Sequence, residues 1–375
     1  MRPRFSQSLV GLVVLALLFP QQSVFALLNI DGTRNQVFVF GSATLSYDSN
    51  VFASSSGEGD YIFSASTGLE VKRRAGIISV NARAMVDYQR FSEFADQSSW
   101  NPTFYLELNK TTGRTTGALT VNAFRTSRAD SAVNLRTQSW NFPVGLNLKY
   151  PVNDKIYLTS NSNYLRRSYT DTSTGLLTYT DYGQAFDVFY VFTSKTDLLG
   201  GYRIRVGTTS LGTTTDHSIT VGATNGLLPK VNGTVRLGYQ WRNVDSTGET
   251  YNQITASASV TWNATRKFNV TGSVSRDFMT TAVGGSVDTF STLLRGNYIF
   301  TRRYSVDAGV GYGRNRFLGS APRTDQFYTW DVGGRIHWNE HFDLSATYSY
   351  MNNWSDASIS DFERTGYSLN LSTRF

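Results

Sequence analysis

From residue 36 to residue 375 the chain alternates apolar and polar residues with a period of two, segment after segment, and this limits what it can fold into. Successive side chains of a β-strand point to opposite faces, so each such segment reads as a strand with one apolar and one polar face. Between Val231 and Val244 one face carries Val231, Val235, Leu237, Tyr239 and Trp241, and the other Asn232, Thr234, Arg236, Gln240 and Arg242. Between Ile78 and Tyr88, Ile78, Val80, Ala82, Ala84, Val86 and Tyr88 stand opposite Ser79, Asn81, Arg83, Met85 and Asp87. Residues 253–263 and 327–338 follow the same rule.

Polar connections punctuate these strands in a regular order. Short turns are expected at residues 73–76, 111–114, 151–154, 194–196, 228–230, 264–266, 301–303 and 339–341, with starts 34 to 43 residues apart. Between them lie somewhat longer loops at 53–59, 93–98, 129–136, 170–177, 210–214, 245–249, 280–286, 318–324 and 355–361. A repeated strand, turn, strand and loop gives about eighteen strands, and a count of sixteen also fits the spacing.

The polar face carries Arg, Asp, Asn and Ser on strand after strand, so it must meet water. A solenoid or propeller would instead bury aliphatic side chains on both faces. Aromatic residues gather at the ends of the apolar faces, Tyr47, Tyr88, Tyr150, Phe192, Trp262, Phe300, Trp338 and Tyr348 among them, as membrane-interface girdles require. Hydrocarbon tolerates no open sheet edge, so a sheet of this kind must close on itself. The expected fold is therefore all-β: a closed antiparallel transmembrane β-barrel in contact with outer-membrane lipid, with short periplasmic turns, modest extracellular loops and both termini in the periplasm.

Composition agrees with this reading. Charged residues are 17 % of the chain and aromatics 14 %, with 24 Phe, 21 Tyr and 32 Gly against 7 Pro, a strand-rich usage. A mean hydropathy of −0.27, with no long apolar run after the N-terminus, argues against a bundle of membrane helices, each of which needs about 20 apolar residues. Zero Cys excludes disulfides, thiolate metal sites and thiol nucleophiles.

At the N-terminus, Arg2 and Arg4 precede the apolar run Leu9 to Phe19, and Val24-Phe25-Ala26 forms a cleavage signal. Residues 1–26 are expected to be a signal peptide, 27–35 a short periplasmic segment and 36–375 the barrel. Cleavage lowers the net charge of +7 by the two arginines, and the remaining excess is mild and dispersed, so no nucleic-acid partner is expected.

No catalytic, metal or cofactor site is expected. His337 to His341 spells H-x-x-E-H, but that zinc pattern needs a helix, and here it straddles a turn. Asp216-His217, at the outer rim of a strand, is similar to the Asp and His pairs of barrel proteases but lacks a partner set. Gly309, Gly311 and Gly313 alternate along one strand, with no helix following to receive a phosphate.

The polar face offers candidate pore-lining residues instead: Arg83, Arg203, Arg205, Arg236, Arg242, Arg295 and Arg335, with Asp87, Glu107, Asp307 and Asp331; Arg374, Asp187 and Asp343 share that face. Either these groups pair across strands and keep the interior wet, or a slight Arg surplus biases the pore toward anions. Loops of about five to eight residues look too short to fold inward as a plug. Any narrowing is therefore expected from Arg203, Arg205, Arg236, Arg242 and Arg295 themselves, or from a partner protein.

The last segment alternates Tyr367, Leu369, Leu371, Thr373 and Phe375 with polar residues, and resembles the terminal-strand signal read by the barrel-assembly machinery. Aromatics with Arg recur where strands leave the membrane, as in Tyr88-Gln89-Arg90-Phe91 and Tyr239-Gln240-Trp241-Arg242, either anchoring the barrel in headgroups or stacking on sugars. These ends, the hairpin repeat and the terminal strand together resemble the second putative beta-barrel porin family, whose members often accompany exopolysaccharide export systems. The resemblance implies an outer-membrane protein of a Gram-negative-type bacterium and a channel for hydrophilic solutes, with oligo- or polysaccharide among them. The alternatives are a non-conducting structural or docking barrel of an export system, with export proteins as partners, and, more remotely, a barrel enzyme.

Overall fold

The computed structural model describes residues 28–30, 35–74, 76–170, 175–319 and 322–375; the expected signal peptide lies outside them. A short strand, β1 (Leu28–Ile30), precedes eighteen long ones of 12 to 17 residues, numbered in chain order from β2 (Asn35–Asp48) to β19 (Phe362–Arg374). Each long strand pairs antiparallel with its chain neighbours, and β19 pairs with β2 from Gly366↔Asp48 to Arg374↔Phe40. That last pairing closes the sheet, so the expected barrel is present with eighteen strands. β1 lies beside β2 where β19 ends, with Leu28 opposite Val37. Beyond Arg374, the Phe375 N–H donates to Val39 O at 2.8 Å and the Val39 N–H returns a bond to Phe375 O at 2.9 Å.

Period-two alternation sets the two faces. Leu237 is 56 % exposed on the outside, while its neighbour Arg236 turns inward to Asp187. Aromatics ring both edges of the outer face. Trp262, Phe300 and Trp338 lie exposed at the periplasmic edge, and ring contacts such as Tyr47 with Tyr61 at 4.9 Å and Tyr88 with Trp100 at 4.4 Å mark the other. Along one strand, Val231 to Trp241 covers about 33 Å, or about 25 Å once tilted, which matches the apolar band of an outer-membrane barrel.

Two hairpins depart from the regular wall. β5 (Ser99–Lys110) pairs with β6 (Thr116–Asp130) only from Lys110↔Gly117 to Thr103↔Phe124, and the next residue of β5 is Pro102. The ladder from β6 to β7 (Leu135–Pro151) breaks between Val121↔Val144 and Phe124↔Asn141, at Pro143. Proline has no N–H to give a ladder: β6 parts from β5 at Pro102, and its ladder to β7 skips two pairs at Pro143 before resuming as far as Asp130↔Leu135, so the outer ends of β6 and β7 leave β5 together as one hairpin. On the other side of the ring, β13 (Glu249–Trp262) pairs with β14 (Phe268–Thr280) only as far as Ala256↔Arg276, although both strands continue. β14 and its partner β15 (Ser286–Ile299) stay paired to Thr280↔Ser286.

The tips of both hairpins reach across the mouth. Asn134, in the β6–β7 connection, donates from Nδ2 to Ala53 O at 2.7 Å and accepts from Ser360 Oγ at 2.6 Å. Arg323 adds weaker bonds to Ser131 O and Ala132 O at 3.4 and 3.5 Å. From the opposite wall, Ala282 O at the β14–β15 tip accepts from the Leu177 N–H at 2.8 Å, within an apolar cluster of Tyr169, Leu176, Ala282 and Val133. The expectation that nothing but inward side chains or a partner could narrow the pore is thus corrected. The connections are indeed short, but the outer ends of the strands themselves bend inward and carry them.

Candidate pore and its outer closure

Beneath this closure the lumen holds a cavity of about 960 Å³, walled by Glu70, Arg83, Asp87, Arg125, His341 and Arg374 among others. A smaller one of about 240 Å³ lies against Asp187, Arg203, Ser218, Arg236 and Thr255. Arg83 sits with its guanidinium 4.0 Å from the Phe40 ring centroid, and Glu107 accepts from the Tyr105 hydroxyl at 2.8 Å. Arg335 faces inward level with Ser305 and Ser345.

The other five arginines expected to line the pore, Arg203, Arg205, Arg236, Arg242 and Arg295, are held by carboxylates. Arg236 meets Asp187 at 2.7 Å, and Arg295 bridges Asp307 at 2.6 Å and Asp331 at 2.7 Å. Arg203 and Arg205 share Asp277 at 3.0 and 3.4 Å. Asp216, 2 % exposed, accepts from Arg205 Nε at 2.8 Å and from Arg242 Nε at 2.6 Å. A guanidinium removed from water needs a carboxylate beside it, and here each of the five has at least one. The Arg surplus read along the strands is therefore offset locally by Asp187, Asp216, Asp277, Asp307 and Asp331. Of these, Asp216 and Asp277 were not foreseen as partners: Asp216 stands directly opposite Arg205 and Arg242 on the adjacent strands, a match that needs the register, and Asp277 reaches Arg203 from four strands away, where the face a residue occupies says nothing of its partner.

The same arginines secure the inward hairpin. Arg242, only 1 % exposed, donates from Nη1 to Met279 O at 2.9 Å and to Ser286 Oγ at 3.2 Å, and its guanidinium lies 5.1 Å from the Phe278 ring centroid. Arg205 Nη2 donates to Phe278 O at 2.5 Å. The ion cluster is thus a clamp on the backbone of β14 as well as part of the lumen wall.

The histidines fall apart as a set. Asp216 points inward, whereas His217 stacks on Trp241 at 5.3 Å and shares a 2.7 Å hydrogen bond with the Tyr202 hydroxyl on the outer face. His337 bonds Asp343 at 2.5 Å, while His341 stacks on Phe375 at 4.8 Å. Among the described residues no group of three or more His, Asp and Glu has the spacing of a metal site. In the terminal strand, Tyr367 and Leu369 face outward, 54 % and 50 % exposed, and pair with Tyr47 and Leu45; Leu371 pairs with Ala43.

Residues 208–375 match the model of the family described as Putative beta-barrel porin 2. No curated relative matches the sequence. Among solved structures, OccAB2 of Acinetobacter baumannii is similar with a TM-score of 0.52 at 9 % identity, over 91 % of this chain and 98 % of that one. OpdK of Pseudomonas aeruginosa, solved with vanillate, gives 0.52 at 10 % identity over 90 % and 99 %. The FrpB iron transporter of Neisseria meningitidis gives 0.51 at 11 % identity over 84 % of this chain and 61 % of its own. At such identity the likeness is one of fold. With its closed ring, apolar outer band and wet interior, the chain is an eighteen-stranded outer-membrane β-barrel of a Gram-negative-type bacterium whose residues 208–375 carry the pattern of the Putative beta-barrel porin 2 family.

Proposed function

We propose that this barrel passes hydrophilic solutes across the outer membrane through a pore lined by the inward Arg and Asp residues. The observation that carries the reading is the polar cavity of about 960 Å³ inside a ring of eighteen strands, a strand number that leaves an aqueous channel in porins. Its lining mixes donors and acceptors with balanced charge, which suits neutral polar solutes, short oligosaccharides included, better than a strongly charged one. Because Arg203, Arg205, Arg236, Arg242 and Arg295 are neutralised by acids, the expected ion preference is weak in either direction. The test is conductance of the purified protein in planar bilayers at low and high salt. A steep anion preference that fades with salt would show instead that the arginines act unpaired.

The buried outer mouth favours a second reading, a docking barrel of an exopolysaccharide export system that does not conduct alone. Silent bilayers with folded protein, together with co-purification of export-system proteins, would move the assignment there. Assembly is proposed to depend on Tyr367, Leu369, Leu371 and Phe375 as the signal for the barrel-assembly machinery. Deleting Phe375 is then expected to lower the heat-modifiable folded fraction in the outer membrane, whereas Ser355→Ala, near a loop, is not.

A further inference from the structure

We infer that the outer end of β14 is a gate, which closes the mouth when it leans inward and opens it by pairing with the unused outer edge of β13. The ladder between them stops at Ala256↔Arg276, with no proline on either strand beyond that point. Extending the same register sets Thr255 opposite Asp277, Ile254 opposite Phe278 and Gln253 opposite Met279.

The outward parity of β14 holds Val270, Val274 and Phe278 together with Arg276, and the inward one Ser273, Ser275 and Asp277, so zipped pairing would bring Phe278 out beside Ile254 and carry the Arg276–Asp288 ion pair to the same outer rim. Ile254 is 63 % exposed and paired with Tyr239 at the aromatic edge of the membrane, a fitting neighbour for a phenyl ring. In the closed form Phe278 is instead 1 % exposed, against its own alternation.

Side chains stand in for the missing ladder. Thr255 Oγ1 donates to Arg276 O at 2.8 Å. The Gln253 amide, in the orientation that satisfies both ends, accepts from the Phe278 N–H at 3.3 Å and donates to Asp288 at 2.6 Å. An unpaired strand edge left bare would be costly, and these two residues satisfy it only while β14 is away. Opening exchanges them, and the Arg205 and Arg242 bonds to β14 carbonyls, for regular ladder bonds. It also draws Phe278, Met279 and Ala282 out of the mouth.

The chain has no cysteine, so engineered pairs report without background. In the closed form the side chains at 254 and 278 point to opposite sides of the wall and cannot bond; in the zipped form they are cross-strand neighbours at disulfide distance. Ile254→Cys with Phe278→Cys is expected to oxidise in the folded, membrane-embedded barrel, faster when Asp216→Asn loosens the clamp. Leu177→Cys with Ala282→Cys should lock the closed form. Only the electrical arm rests on the channel reading: the first pair should raise conductance and the second abolish it, both reversed by reductant. If the 254/278 pair stays reduced in a barrel shown to be folded by heat-modifiable migration, the gate is overturned. If that pair oxidises while bilayers remain silent, the gate stands and the channel reading falls.

Discussion

The two inward hairpins reach the same place for different reasons. β6 leaves β5 at Pro102, and Pro143 interrupts its ladder to β7 for two pairs before the two strands rejoin, so the outer β6–β7 hairpin departs where ladder donors are missing, a covalent cause that no change of conformation can undo. β14 leaves β13 with its backbone donors intact and is held away by Asp216, Arg205 and Arg242. One detachment is written into the backbone and the other into an ion cluster, so only the second is reversible.

The sharpest way to break this contrast is Arg242→Ala. Removing one member of a buried ion pair strands its carboxylate, so stability to denaturant in lipid vesicles should fall by about 3–5 kcal/mol, with faster hydrogen exchange at residues 277–282. A loss no greater than that of an exposed substitution would remove the clamp from the account. On the proline-released side, Asn134→Ala deletes two side-chain hydrogen bonds and places alanine at φ +54°, for an expected cost of about 1–3 kcal/mol and looser packing of residues 53 and 360. Restoring donors with Pro102→Val and Pro143→Val should slow amide exchange across residues 125–130, with a net stability change of about 1 kcal/mol or less because the unfolded chain also gains freedom. Unchanged exchange there would mean that the prolines are incidental to the split. The smallest effect belongs to Thr255→Val, which removes one substitute bond at a cost of about 0.5–1 kcal/mol to the closed form and should quicken the 254/278 cross-link.

The eighteen strands are legible in the chain because each repeats the same alternation, and an error of a residue at one turn does not propagate to the next. The inward position of Arg203, Arg205 and Arg236 follows from that alternation too. What faces them does not. Arg203 meets Asp277 from four strands away, and only because β14 leaves the wall. Phe278 shows the limit most clearly, since its parity points to lipid and its ring is buried in the mouth. Pro102 and Pro143 were visible signals of a broken ladder, but attention to loop length alone passes over strands that bend.

The seam between β19 and β2 carries a consequence for folding speed. Every other pairing of long strands joins neighbours along the chain, whereas this one joins residues such as Asn370 and Thr44, 326 positions apart. Closing a loop of that length from an unstructured chain costs about 4 kcal/mol more entropy than closing a hairpin turn. The local hairpins can therefore form first, and the ring becomes all-or-none only when its two most distant strands meet. Phe375, bonded at both N–H and carbonyl to Val39, sits at this late and least local contact. Damage there should slow the final closure more than equal damage within any hairpin.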